Sequence, residues 1–226
     1  MANTEKKGMS TNSNTYTIIY AIVMVVIVAF LLSFVNSTLK EKQTENVNLD
    51  KMKQILGSIG IEGVSDAKAE YNKYVKVILD SKGTELGTND FTTDAVKNAG
   101  YVIYKCDVDG ATKYIVPLDG NGLWGAIWGY VALNDDKSTV YGIYFNHASE
   151  TPGLGAEIVT PAFKEPFKGK QILKNGELKS IAVVKKGSSA EGQDYVNGMT
   201  GGTIGCVAVS AMLANRLEGY DEFLTQ

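Results

Sequence analysis

The strongest pattern in the chain is a run of apolar residues bounded sharply by polar ones. Met1 to Asn14 is polar, with Lys6 and Lys7 as its only positive side chains, and Thr17 to Val35 then supplies 19 residues without a charge. That is close to the roughly 20 residues needed to cross a bilayer as a helix. The run is longer than the roughly 7–15-residue apolar core of a cleavable signal, and no small-x-small site follows it cleanly. Polar residues continue from Asn36 to Lys42, so the pattern predicts a retained single-pass anchor. Lys6 and Lys7 before it are matched by Lys40 and Lys42 after it, so charge barely sets the orientation; the short leading tail favours a cytoplasmic N-terminus.

Past the anchor the period changes. Lys40 to Gly57 carries helix-forming residues with apolar positions at Val47, Leu49, Met52, Ile55 and Leu56, and Gly57 is its expected stop. Ala69, Tyr71, Val75 and Ile78 or Leu79 predict a second helix from Ala67 to Leu79, and the polar stretch Ser81 to Asn98, with Gly83 and Gly87, reads mainly as loop. Strands begin at about Gly100. Tyr101–Asp107 and Thr112–Val116 flank Asp109-Gly110, a strong hairpin signal. Ala126–Leu133, Thr139–Phe145 and Ile181–Lys185 are further strands. Pro161 and Pro166 limit any helix between Thr160 and Lys168 to a turn or two. Cys206 to Leu217 reads as a final helix. The fold class is α+β: an anchor, a helical neck, and a twisted antiparallel sheet flanked by helices. The corresponding parts are a tail over 1–14, a membrane helix over 15–38, a neck over 39–60 and one globular domain over 61–226.

Composition narrows the chemistry. The 226 residues carry a net charge of −3, which gives no basic surface for nucleic acid. Cys106 and Cys206 form no Cys-x-x-Cys pair and His147 is the sole histidine, so no metal centre is expected within the chain. The two cysteines are either a disulfide of an exported domain or two isolated buried thiols. His147, with no defined partner, reads more readily as a structural hydrogen-bonder than as an acid–base group.

Three stretches remain as chemical candidates. Asn197-Gly198-Met199-Thr200-Gly201-Gly202-Thr203-Ile204-Gly205 packs four glycines and two threonines into nine residues directly before the final helix. Helix N-termini of this kind hold anions through free N–H groups and the helix dipole. No Gly-Lys-Thr triplet follows, so nucleotide hydrolysis is not expected. Gly120-Asn121-Gly122-Leu123-Trp124-Gly125 is a glycine-rich turn carrying a tryptophan. His147 to Glu157, including Glu150-Thr151-Pro152-Gly153-Leu154-Gly155, is a loop directly after a strand, where functional residues commonly sit.

The first stretch resembles the attachment motif of the FMN-binding domain family, Asp-Gly-x-Ser/Thr-Gly-Ala-Thr, with Asn197 in place of Asp and Gly202 in place of Ala. With Leu123-Trp124-Gly125, Glu150–Gly155, the single anchor and the neck added, the chain resembles the C-subunit family of sodium-translocating NADH:quinone oxidoreductases. The G-subunit family of Rnf ferredoxin:NAD oxidoreductases is a near relative. The resemblance implies an FMN joined through its phosphate to Thr203, with Thr200, Gly201 and Gly202 near the phosphate. It further implies that Glu150, Thr151, Leu154 and Trp124 line the flavin pocket. It implies no catalytic residue in the substrate-converting sense, an electron relay between carriers, other subunits of a membrane complex as partners, contact with membrane lipid, and a flavin transferase for maturation. The expected place is a bacterial inner membrane with the flavin domain outside the cytoplasm. The contrasting readings are a structural subunit without flavin and a freestanding extracytoplasmic flavin reductase; about 190 residues beyond the span leave little room for the latter's substrate domain.

Overall fold

A computed structural model describes residues 13–199 and 203–226, with the backbone alone at Thr203 and Ile204. The chain divides into two compact units, Met1–Asn48 and Leu49–Gln226.

Most of the described part of the first unit belongs to one helix, α1 (Asn14–Ser58). Ser13 caps its start, its hydroxyl accepting the Tyr16 N–H at 3.1 Å. Large apolar side chains from Ile18 to Val35 lie exposed, and α1 is long and apolar enough to cross a membrane. Its uncharged run would span about 29 Å at ~1.5 Å per residue, near the thickness of a hydrocarbon core. The helix runs one residue past the expected stop. Gly57 is not the cap but a buried position in its last turn; Gly60, at φ +81, supplies the left-handed turn, its N–H returning to the Gly57 carbonyl.

In the second unit α2 (Ala67–Tyr74) is capped by the Asp66 carboxylate, which accepts the Ala69 N–H. Here the expected helix to Leu79 is corrected: it ends at Tyr74, and β1 (Val75–Asp80) follows. The β-branched residues Val75, Val77 and Ile78 suit an extended chain, and pairing with the next strand decides the outcome. The stretch expected as loop contains one short helix, α3 (Asp94–Ala99). Next come β2 (Val102–Val108), β3 (Ala111–Asn121), β4 (Ala126–Leu133) and β5 (Val140–His147). The five strands form an antiparallel sheet in chain order. Asp109 and Gly110 both take positive φ in the β2–β3 turn, as a tight hairpin requires.

Helical turns at Gly155–Val159 and Glu165–Phe167 flank α4 (Pro161–Lys164), short as the two prolines demand. A small hairpin, β6 (Leu173–Lys174) and β7 (Glu177–Leu178), precedes β8 (Ile181–Val184) and β9 (Asp194–Asn197). The β8–β9 pair is parallel, a departure from the all-antiparallel expectation. The chain closes with α5 (Thr203–Glu218) and α6 (Asp221–Leu224).

The large sheet is buried on both faces. Ile103, Val116, Leu118, Val131 and Phe145 face Val209, Leu213 and Leu217 of α5. The alternate residues Tyr104, Cys106, Ile115, Tyr130 and Ala132 pack with Ile55 and Leu56 at the end of α1 and with Tyr71 of α2. Cys106 belongs to the second cluster and Cys206 to the first, and both are free thiols, so the disulfide alternative is ruled out. Burial pushes the Cys106 thiol up to about 12.

Candidate functional site

The β3–β4 turn and the segment after β5 emerge side by side because β4 and β5 remain paired to Ile127 and His147, and the Ala148 N–H then donates to the Ala126 carbonyl. The turn itself is closed by the Gly122 N–H donating to the Gly125 carbonyl at 2.8 Å. Its tryptophan is gripped through both its main-chain polar groups. Trp124 N–H donates to Glu150 Oε1 at 2.8 Å, and Ser149 Oγ donates to the Trp124 carbonyl at 2.8 Å.

Glu150 is 7% exposed and sits between two glycines. A methyl group added at Gly122 would run into its Oε1, and one added at Gly155 into its Oε2. Its own N–H donates to His147 Nδ1 at 3.2 Å, which assigns His147 as a hydrogen-bond acceptor within the loop. The loop beyond is folded on itself: Leu154 and Ala156 N–H groups both donate to the Thr151 carbonyl, and Gly153 N–H donates to Glu157 Oε1 at 3.1 Å.

The third stretch joins the first two through main-chain contact. A Cβ on Gly205, in the first turn of α5, would stand 3.4 Å from the Cα of Gly155. On the approach, Gly198 donates to the Val184 carbonyl at 2.6 Å and lies against Cys206 Sγ. Thr203 is the first residue of α5. Thr200, Gly201 and Gly202 lie outside the described residues, as does the Thr203 side chain.

The sequence-derived site residues thus separate into kinds. Trp124 and Leu154 are exposed, at 67% and 43%, and Thr151 is also exposed, whereas Glu150 is buried and bonded to its own protein. Val207 escapes sequence reasoning. It is 62% exposed, one helical turn beyond Thr203. The signal is present, because Cys206, Val209, Leu213 and Leu217 form the buried stripe of α5 and Val207 falls off it. Among the described residues no group of three His, Cys, Asp or Glu side chains is placed to hold a metal. The arrangement offers exposed apolar and aromatic side chains around the start of a 16-residue helix. That is suited to holding a flat ring system and an anion.

The chain is similar to several known proteins. The FMN-binding domain family matches residues 122–218, which contain all three stretches except Asn121 and its neighbour Gly120. The C subunit of the Na+-translocating NADH-quinone reductase from Vibrio anguillarum is 31% identical over 192 residues, covering 74% of this chain and 75% of the relative. Its counterpart from Vibrio parahaemolyticus is 30% identical over 202 residues, with 74% and 76% covered. The crystal structure of the same protein from Parabacteroides distasonis is 47% identical and superimposes with a TM-score of 0.76 over 83% of this chain and 98% of that one. A Shewanella oneidensis structure, at 22% identity and a TM-score of 0.55 over 79% of this chain and 92% of that one, shares the fold.

Proposed function

This chain belongs to the C-subunit family of the Na+-translocating NADH-quinone reductase, and from that premise we propose that it relays electrons through one FMN esterified to Thr203. The observation that carries the proposal is the distribution of exposed apolar surface. Among the described residues of Leu49–Gln226, the large exposed hydrophobics are Leu123, Trp124, Leu154, Val159, Val207 and Tyr101. All but Tyr101 lie in or beside the three stretches. Exposed apolar side chains carried on adjoining segments mark a binding site, and here the residues present fit a flavin.

In this reading Trp124, Leu154 and Val207 flank the ring system and limit water around it. Main-chain N–H groups in the first turn of α5 balance the phosphate charge, aided by the helix dipole. Thr151 supplies a hydroxyl at the rim. Bound FMN supplies the one-electron chemistry that lets the domain take an electron from one carrier and pass it to another; the protein's part is to hold and orient it. The ester requires an activated flavin phosphate. Thr203 would supply the hydroxyl oxygen of the ester, an activated flavin nucleotide would supply the phosphoryl group and carry away the leaving phosphate-linked group, and the hydroxyl proton would pass to solvent. A separate transferase is the partner for that step.

Residues 1–14 form the cytoplasmic tail, 15–38 the span, 39–60 the neck, and 61–226 the extracytoplasmic domain of a bacterial inner-membrane protein. The remaining subunits of the complex are its electron partners. Mass spectrometry of the Thr203 peptide from native membranes, with Thr203→Ala as control, tests the reading. FMN on the wild-type peptide supports it; an unmodified peptide, in membranes where other flavinylated proteins are detected, overturns it.

A further inference from the structure

We propose that Glu150 is a positioning residue that assembles the site before flavin is attached, acting through the protein and not through the flavin. The inference rests on the proposed flavin site but uses only contacts within the chain. Glu150 reaches two of the three stretches at once: Oε1 accepts the Trp124 N–H at 2.8 Å, and Oε2 lies against Gly155. Gly155 in turn meets Gly205 in the first turn of α5. One carboxylate therefore sets the turn that presents Trp124, the loop that presents Leu154, and, through the glycine contact, the height of that loop on the helix that begins at Thr203.

The surroundings are built for this role. Gly122 and Gly155 both have φ outside the left-handed region, so alanine is allowed there by backbone conformation. A side chain at Gly155 would meet Glu150 alone, and one at Gly122 would meet the Glu150 carboxyl group first and the Ile127 side chain next. Gly122 and Gly155 thus leave the space that the carboxyl occupies. The Glu150 backbone is held as well, by its N–H donating to His147 Nδ1. Lys, Arg and Asp side chains make no hydrogen bond or ion pair with Glu150 among the described residues. Its described side-chain hydrogen-bond partner is the Trp124 amide, and charge-assisted bonds of this kind are among the stronger ones in proteins.

The test is hydrogen–deuterium exchange on the full-length chain in detergent, produced without a flavin transferase, so that no flavin is present. Wild type and Glu150→Gln, whose amide oxygen still accepts, should protect the Trp124 amide. Glu150→Ala should raise its exchange by about tenfold or more, the scale of one lost charge-assisted hydrogen bond. Gly122→Ala and Gly155→Ala, which crowd the carboxyl while keeping it, should move exchange in the same direction by a smaller factor. Unchanged protection in Glu150→Ala overturns the proposal, and so does loss of protection in Glu150→Gln equal to that in Glu150→Ala. Should Glu150→Ala fail to fold, the two glycine variants decide: wild-type protection in both would overturn it. In cells that carry the transferase, Glu150→Ala should take up less FMN than wild type, with Glu150→Gln restoring uptake. If wild type takes up none, the flavin reading fails while the exchange result stands, so the two failures are distinct.

Discussion

The neck contact and the flavin-site contact are made by the same device and finished in opposite ways. At the neck, the Ser58 carbonyl comes so close to Gly142 of β5 that a methyl group there would collide with it. On the core side of this contact Ile55 and Leu56 are wholly buried, and Trp128 Nε1 donates to Gln54 Oε1 at 2.9 Å. At the site, Gly122 and Gly155 close around Glu150 just as tightly, yet Trp124 and Val207 beside them remain about two-thirds exposed. Close main-chain approach that ends in buried apolar side chains yields stability. The same approach with the apolar side chains left facing out yields a surface prepared for a ligand.

That contrast breaks if neck substitutions and site substitutions have the same consequences. The largest expected effect is Leu56→Ala, which should cost about 2–5 kcal/mol of unfolding free energy in denaturant titration of the full chain. Gly142→Ala should follow, at about 1–3 kcal/mol, because the obstacle is backbone and cannot rotate away. Gln54→Ala removes one partly buried hydrogen bond and should cost about 1 kcal/mol by the same measurement. Trp124→Ala and Val207→Ala should lie within about 0.5 kcal/mol of wild type without flavin. Redox titration of their flavin-loaded forms should nonetheless shift, since both groups flank the proposed ring. A stability loss at Val207 as large as that at Leu56 would erase the distinction.

The smallest effect concerns pH. Hydrogen bonds from the Thr92 hydroxyl and N–H hold Asp90 below the ordinary carboxylate value. At Asp136 burial opposes ionisation but is outweighed by hydrogen bonds from Thr139 and Ser138, with the same net direction. Carboxyls with lowered folded values stabilise the fold above their unfolded value of about 4, and that contribution is lost as pH falls through the folded value. Melting temperature should therefore change little from these groups between pH 5 and pH 8, and fall below about pH 4.

Much of this is legible in local chemistry. Asp109-Gly110 announces its hairpin, the apolar run over Ala126–Leu133 marks β4 at its observed bounds, and the apolar period of the last helix places α5. Val75–Asp80 is not legible, because its apolar residues fit a helical period as well as a strand, and only pairing with β2 separates them. The parallel β8–β9 pair also depends on a partner strand, reached across the polar connection 185–193, that its own four residues do not announce. At the site, the sequence marks three candidate stretches but not which of their side chains are buried and which exposed. Glu150 is chemically a pocket residue until its neighbours are placed; then its carboxylate is seen to be engaged by Trp124 and enclosed by glycines.

The Gly155–Gly205 contact makes the spacing of the site adjustable. A Cβ at position 205 would stand 3.4 Å from the opposing Cα, in ordinary van der Waals contact. Alanine there would fill the gap without moving anything, whereas valine or leucine would act as a shim under the first turn of α5. Lifting that turn would change the reach of Thr203 while leaving Trp124, Glu150 and Leu154 chemically untouched. For a carrier whose rate falls steeply with separation between redox centres, such a graded series would turn one glycine into a ruler for electron transfer.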